Sequence, residues 1–179
     1  MQKKKHILTI MSVALSGAVL FLLLLTGIFI HTPAAGKKIE AMLMNAEYLG
    51  PEGVVFQKHS NDCGLSALQM VFNHYEIPST VEALEQTITL SPNGASMLVL
   101  KETAEKKGLH VRGWRLTVND LLAKPFPAIL FIKGNHFIVV DSVRHEELFL
   151  RDPALGRIKM PVEQLPKIWG GETLILTKE

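Results

Sequence analysis

What this chain most plainly lacks is a second cysteine. Its 179 residues hold one, Cys63, so no internal disulfide can form and no thiolate metal cluster can be built. The histidines are scattered without ligand spacing, and neither a metal nor any other cofactor is expected. Net charge is only +2, with no dense basic stripe and no interleaved aromatics, which argues against a nucleic-acid partner. No Gly-rich phosphate loop occurs, so an ATPase is not expected within these residues. Aromatic residues make up 7% of the chain, yet apolar residues make up 47%. That is enough to build a core rather than a disordered chain. Repeats and low-complexity segments are absent too.

Charge is missing altogether between Ile7 and Ile30. An apolar run of this kind reaches the roughly 20 residues that a helix needs to cross a bilayer. Secretory h-regions are shorter, about 7–15 residues, so residues 1–31 read as an uncleaved transmembrane signal anchor. A cleaved signal peptide, with Thr32-Pro33-Ala34 near the cut, is the alternative. Lys3, Lys4 and Lys5 precede the run, while Lys37 and Lys38 follow it. This bias points to an N-terminus inside and the remainder on the extracytoplasmic side of the membrane. Residues 32–54 read as a linker punctuated by Pro33, Gly36, Gly50, Pro51 and Gly53. Within it, Lys37 to Tyr48 has the spacing of one short helix, with Ile39, Met42, Leu43 and Ala46 on one side. Residues 55–179 form one domain of ordinary size.

In that domain the helical signals come first. Leu65, Leu68, Val71 and Phe72 recur at helical spacing, predicting a helix from Cys63 to Tyr75. Ser79-x-x-Glu82 reads as a capping box for a second helix ending near Gln86. Ser96 caps a third, which Gly108 closes after Lys107. Leu109 to Leu116 then alternates as a strand, and Thr117-x-x-Asp120 caps a short helix. Strands follow at Ala128–Lys133, His136–Val143 and Glu147–Arg151, joined by hairpin-length turns and therefore antiparallel. A short strand at Arg157–Met160, a short helix at Val162–Ile168 and a last strand at Thr173–Thr177 complete the pattern. Helices followed by antiparallel strands make an α+β domain.

Cys63 carries the chemistry. A lone cysteine is more often a small buried apolar residue, but the six residues before it, Gln57 to Asp62, are polar or charged. It also opens a helix rather than lying on the apolar face. The positive end of a helix favours an anion and lowers a thiol pKa, so Cys63 reads as a nucleophile. Among candidate bases, His6 and His31 flank the apolar run and His59 precedes the helix in a loop. His74, His110 and His145 read as surface residues. His136 opens a strand after Gly134-Asn135, where a ring can face a cleft; position alone leaves a structural histidine equally open. Asp152 ends the neighbouring strand, within reach of His136 if the register agrees, although Asp-Pro also starts turns readily. Asp141 lies five residues from His136 and so on the opposite face. Asp62 reads as a capping or surface carboxylate, and Gln57 alone as a solvated loop residue.

Taken together, Gln57-x5-Cys63-Gly64, Gly94-Ala95-Ser96, His136-Phe137 and Asp152-Pro153-Ala154-x-Gly156 resemble, in order, the bacteriocin-processing cysteine peptidases. These are the domains that trim double-glycine leaders in peptide-exporting ABC transporters. The likeness runs from about Val55 to Thr177. It implies a papain-like fold, with N-terminal helices packed on an antiparallel sheet. It also implies Cys63 as nucleophile, His136 as base, Asp152 as its orienter and Gln57 as oxyanion donor. The expected function is hydrolysis of a peptide or protein substrate, after a Gly-Gly pair in leader peptides if this chain follows its relatives. A separate ABC exporter is the implied partner. Leader trimming by exporters occurs inside the cell, so an extracytoplasmic domain leaves a stand-alone protease on envelope or secreted peptides equally open. Two further readings are a non-catalytic module that binds leader peptides for an exporter and an acyl transferase on the same scaffold. Binding modules of this kind usually lack the cysteine that this chain keeps.

Overall fold

The computed structural model describes residues 33–178. The apolar run Ile7–Ile30, and with it the expected anchor, lies outside the described residues; among these, no helix is long and apolar enough to cross a membrane. The chain divides into two compact units, 1–39 and 40–179. Of the first, the described part is helical, the beginning of α1 (Pro33–Leu43). The second carries everything below.

Three helices, α2 (Cys63–His74), α3 (Val81–Thr87) and α4 (Met97–Lys106), precede most of the strands. The strands are β1 (Glu47–Gly50), β2 (His110–Arg115), β3 (Ala128–Ile132), β4 (His136–Arg144), β5 (Glu147–Asp152), β6 (Gly156–Pro161) and β7 (Trp169–Thr177). A short helix α5 (Val118–Leu122) follows β2, and a 3₁₀ turn covers Val162–Lys167. All seven strands form one sheet in the order β1-β6-β5-β4-β3-β7-β2, every pair antiparallel. The expected α+β architecture, helices on an antiparallel sheet, is what the chain adopts.

The sheet has apolar side chains on both faces, and period-two alternation sorts them. From β4, Phe137 and Val139 join Leu65, Leu68 and Phe72 of α2 in one core. Ile138 and Val140 enter a second core with Leu148, Ile158 and Leu165. Helix α2 is buried along its first ten residues, Cys63 to Phe72, as expected of a helix that is apolar nearly all round. Its close approach to β4 depends on Gly64, where an added Cβ would lie 3.2 Å from both Leu100 and Phe137. Each large apolar side chain sealed here contributes roughly 1.5–3 kcal/mol.

Local signals hold at several helix ends. Ser96 accepts the Val99 N–H, and Thr117 with Asp120 forms a reciprocal capping box. At α3 the cap is Thr80 rather than Ser79: the Thr80 hydroxyl accepts from Ala83 N. Glu82, the expected partner of Ser79, instead pairs with Lys58. Two strands exceed their sequence signals. Strand β1 lies within the segment read as a linker, yet it pairs with β6, Glu47 opposite Lys159. That stretch is therefore an edge of the sheet and not a spacer. Gly156 makes room for it; a Cβ there would lie 2.7 Å from Tyr48 and 2.9 Å from Gly50 O. In α1, Ala35 and Ala41 are buried, whereas Ile39, Met42 and Leu43 are exposed. Strand β7 begins at Trp169, opposite Ile132 across an irregularity in the ladder, so the Gly170-Gly171 pair interrupts the alternation without ending the strand.

Candidate active site

Cys63 is the first residue of α2 and is nearly sealed from solvent. Its N–H belongs to the first turn, where backbone donors have no partner within the helix. Asp62 stands at the N-cap, a position where aspartate normally accepts one of those donors. Here its side chain makes no such bond. It turns back into the preceding loop, where Oδ2 accepts Lys58 N–H at 3.0 Å and His59 N–H at 3.1 Å. Fully buried and capping no helical N–H, it is neither the capping nor the surface carboxylate expected from sequence. The uncapped helix end is thereby left to act on whatever approaches Cys63.

Gln57 begins the same loop. Its N–H donates to Pro153 O at 3.0 Å, tying the loop to the turn after β5. One N–H of its side-chain amide donates to His59 O at 2.8 Å. That carbonyl cannot donate, so the contact fixes which end of the amide is nitrogen. The second N–H of Nε2 is then available to a ligand. Outside the loop lies Gly94 (φ +87°), where a Cβ would sit 2.6 Å from Asn61 O. Only glycine allows the two backbones to come this close.

His136 opens β4, and its Nε2 lies 2.8 Å from Asp152 Oδ1. Extending the β4–β5 register by one residue beyond Val139–Arg151 puts Asp152 opposite Ile138. His136 is therefore its diagonal neighbour, a distance long side chains can span. Asp152 Oδ1 also accepts the N–H groups of Ala154, at 2.8 Å, and Leu155, at 3.2 Å. The carboxylate is thus held by the turn that the Asp-Pro sequence starts. With Nε2 engaged, Nδ1 is the ring nitrogen left for the Cys63 thiol, which lies near enough to act on the His136 proton. Burial lowers the affinity of the imidazole for a proton. The hydrogen bonds to Asp152 and Cys63, with their charges, outweigh it and raise the His136 pKa from 6.5 to about 9. Near neutral pH the ring is therefore an imidazolium between a sulfur and a carboxylate.

The structure thus brings together Cys63, His136 and Asp152, with Gln57 on the loop that leads into Cys63. His59, His74, His110 and His145 are exposed and stand outside the constellation; His6 and His31 lie outside the described residues. Asp141 is engaged elsewhere, accepting two bonds from Arg151 Nε and one from Nη2. Among the described residues no cluster of histidine, cysteine or carboxylates could hold a metal ion. Beside the site opens a cleft of about 730 Å³, lined by Ser60, Gly94, Ala95, Met97, Asn135 and Phe137 among others. Ser60 precedes Cys63 by three residues and Asn135 and Phe137 flank His136, so the lining draws on the chain segments that carry both. The buried role of Asp62 was missed in the sequence. Its one signal was an acidic N-cap directly beside a nucleophile, where its charge would oppose a thiolate.

Residues 52–179 match the peptidase C39 family. The chain is 28% identical over 127 residues to the lactococcin-G-processing and transport ATP-binding protein LagD of Lactococcus lactis. That match covers 68% of this chain but only 18% of LagD. It is 30% identical over 140 residues to an uncharacterized protein of Methanothermobacter thermautotrophicus, covering 78% of this chain and 98% of that one. Among solved structures, a double glycine motif protease from an AMS/PCAT transporter, crystallised in complex with the leader peptide, is 28% identical with a TM-score of 0.67. It covers 70% of this chain and 91% of its own.

Proposed function

The chain belongs to the peptidase C39 family of cysteine peptidases, and from that premise we propose that it hydrolyses peptide bonds after a Gly-Gly pair through Cys63, His136, Asp152 and Gln57. The observation that carries this reading is the continuous link from Cys63 through His136 to Asp152 beside an open cleft. The imidazolium stabilises the Cys63 thiolate, which attacks the scissile carbonyl. The oxyanion that forms is met by Cys63 N–H and by the free amide N–H of Gln57. His136 gives its proton to the leaving amine, and an acyl-enzyme remains on sulfur. Water, deprotonated by His136, then attacks the thioester and releases the new carboxylate. Asp152 keeps Nε2 protonated throughout, so that the nitrogen facing Cys63 exchanges the proton.

The Gly-Gly preference draws support from the family and from the double glycine motif protease with its leader peptide. The run Ile7–Ile30 would anchor the chain in a membrane as a single span, with the lysine bias putting the peptidase on the extracytoplasmic side. Because LagD is a transport protein of which the chain matches only a part, a separate ABC exporter is the proposed partner. The test is incubation of the full chain with leader-like peptides carrying Gly-Gly, or Gly-Leu at the same two positions, read by mass spectrometry. Cleavage after Gly-Gly alone, abolished by Cys63→Ala, is the expected result. Cleavage of both peptides would leave the peptidase and remove the preference; binding without cleavage would favour the leader-binding module.

A further inference from the structure

Asp62 is the group in the site that the mechanism leaves without a task. It is fully buried, and its Oδ1 makes no hydrogen bond among the described residues. Burying an anion is costly unless the surroundings use it. It does not cap α2, since no helical N–H reaches its side chain. Nor does it help the nucleophile, because a fixed negative charge beside Cys63 opposes a thiolate. What it does is grip the loop. Oδ2 accepts the consecutive N–H groups of Lys58 and His59, bonds that an ionised acceptor makes shorter and stronger. The residue so fixed carries His59 O on its far side, and that oxygen holds Nε2 of Gln57 at 2.8 Å. Bonds to main-chain carbonyls secure the two ends of the loop, from Gln57 N–H to Pro153 O and from the Asn61 side-chain Nδ2 to Ser91 O. Asp62 secures the middle, on which the glutamine amide rests.

We propose that Asp62 is a positioning residue for the oxyanion site: its buried carboxylate holds the Lys58–His59 turn so that the second N–H of Gln57 faces the carbonyl attacked by Cys63. By turning away from α2, the same side chain also leaves the first-turn N–H groups that follow Cys63 without a capping carboxylate. The inference rests on the reading of Gln57 as oxyanion donor given above.

The test is a double-mutant cycle on the full chain, combining Asp62→Ala with Gln57→Ala. Three quantities are read: kcat and KM on a Gly-Gly peptide, and the rate of Cys63 alkylation by iodoacetamide, which needs no oxyanion site. Losing one oxyanion donor typically costs about 10²–10³ in rate. Asp62→Ala should approach that loss in kcat while KM and the alkylation rate stay within about threefold, and should add little to Gln57→Ala. Asp62→Asn, which keeps an oxygen for the two N–H groups, should restore most of kcat and alkylate no more slowly than the parent. Should Asp62→Ala fail to fold, Asp62→Glu carries the same cycle, since it keeps the charge but displaces the acceptor. Equal losses from the Asp62 variant with and without Gln57 overturn the proposal, as does a parallel fall in alkylation. If Gln57→Ala leaves kcat unchanged, the reading of Gln57 itself fails, a result distinct from additive losses.

Discussion

Arg151 and Asp152 are neighbours on β5, and each makes an ion pair with a residue of β4. Arg151 holds Asp141 with the nearer contact at 2.6 Å and also donates to Gly53 O and Met70 O. It therefore ties sheet, helix α2 and the stretch leading to Gln57 into one block. Asp152 holds His136 at 2.8 Å on the other face of the strand, beside Cys63. A guanidinium stays charged at any pH a protein survives. An imidazole does not. The same strand pair thus supplies a permanent clamp on one side and a titrating pair on the other. The lesson is that two ion pairs alike in geometry differ through the chemistry of the cation, which can titrate in one and not in the other.

The sharpest way to break the comparison is to remove members of the two pairs in turn. His136→Ala should lower kcat by about 10²–10⁴-fold, the usual worth of a positioned acid–base group, and should slow alkylation of Cys63 at neutral pH. Steady-state kinetics and a labelling time course check both. Next in size is Asp152→Asn. The carboxylate is one of the causes of the raised His136 pKa, so removing its charge should move the alkaline limb of kcat/KM from about 9 towards 6.5. A pH–rate profile that does not move would mean the pair is structural. The third effect is on stability. Asp141→Ala leaves Arg151 without its carboxylate and should cost about 2 kcal/mol, with kcat of the folded protein nearly unchanged. The pH course of melting adds to this. Because the folded pKa of His136 is raised, its pair contributes stability that is full below about 6.5 and fades as pH rises through about 9. The Arg151 pair contributes on both sides of that window. Wild type minus Asp141→Ala should therefore be flat in pH, and wild type minus His136→Ala should shrink as pH rises.

Much of this was legible in the sequence where a signal is local. Ser96, Thr117 and Gly108 mark helix ends because caps act within one turn. The α2 period and the turns between β3, β4 and β5 gave the elements that carry Cys63, His136 and Asp152. Strand β1 was not legible: it is four residues long, and its partner β6 lies more than a hundred residues away. Choosing Ser79 over Thr80 followed a motif whose glutamate had a better partner in Lys58. Asp62 escaped because an N-cap aspartate is ordinarily a helix matter, and only the folded loop reveals donors behind it. At His136 the sequence left two roles open. The 2.8 Å contact to Asp152 and the hydrogen bond to Cys63 are three-dimensional facts that no spacing encodes.

The bond from Gln57 N–H to Pro153 O has a meaning for the order in which the protein is made. It spans most of the domain, and the turn it reaches leaves the ribosome well after the helix that carries Cys63. Helix α2 forms from neighbours in sequence, but His136, Asp152 and the Pro153 anchor of the Gln57 loop all arrive later. Contacts this distant in sequence are slow to close. A nascent chain therefore carries the Cys63 thiol long before His136 and Asp152 can reach it.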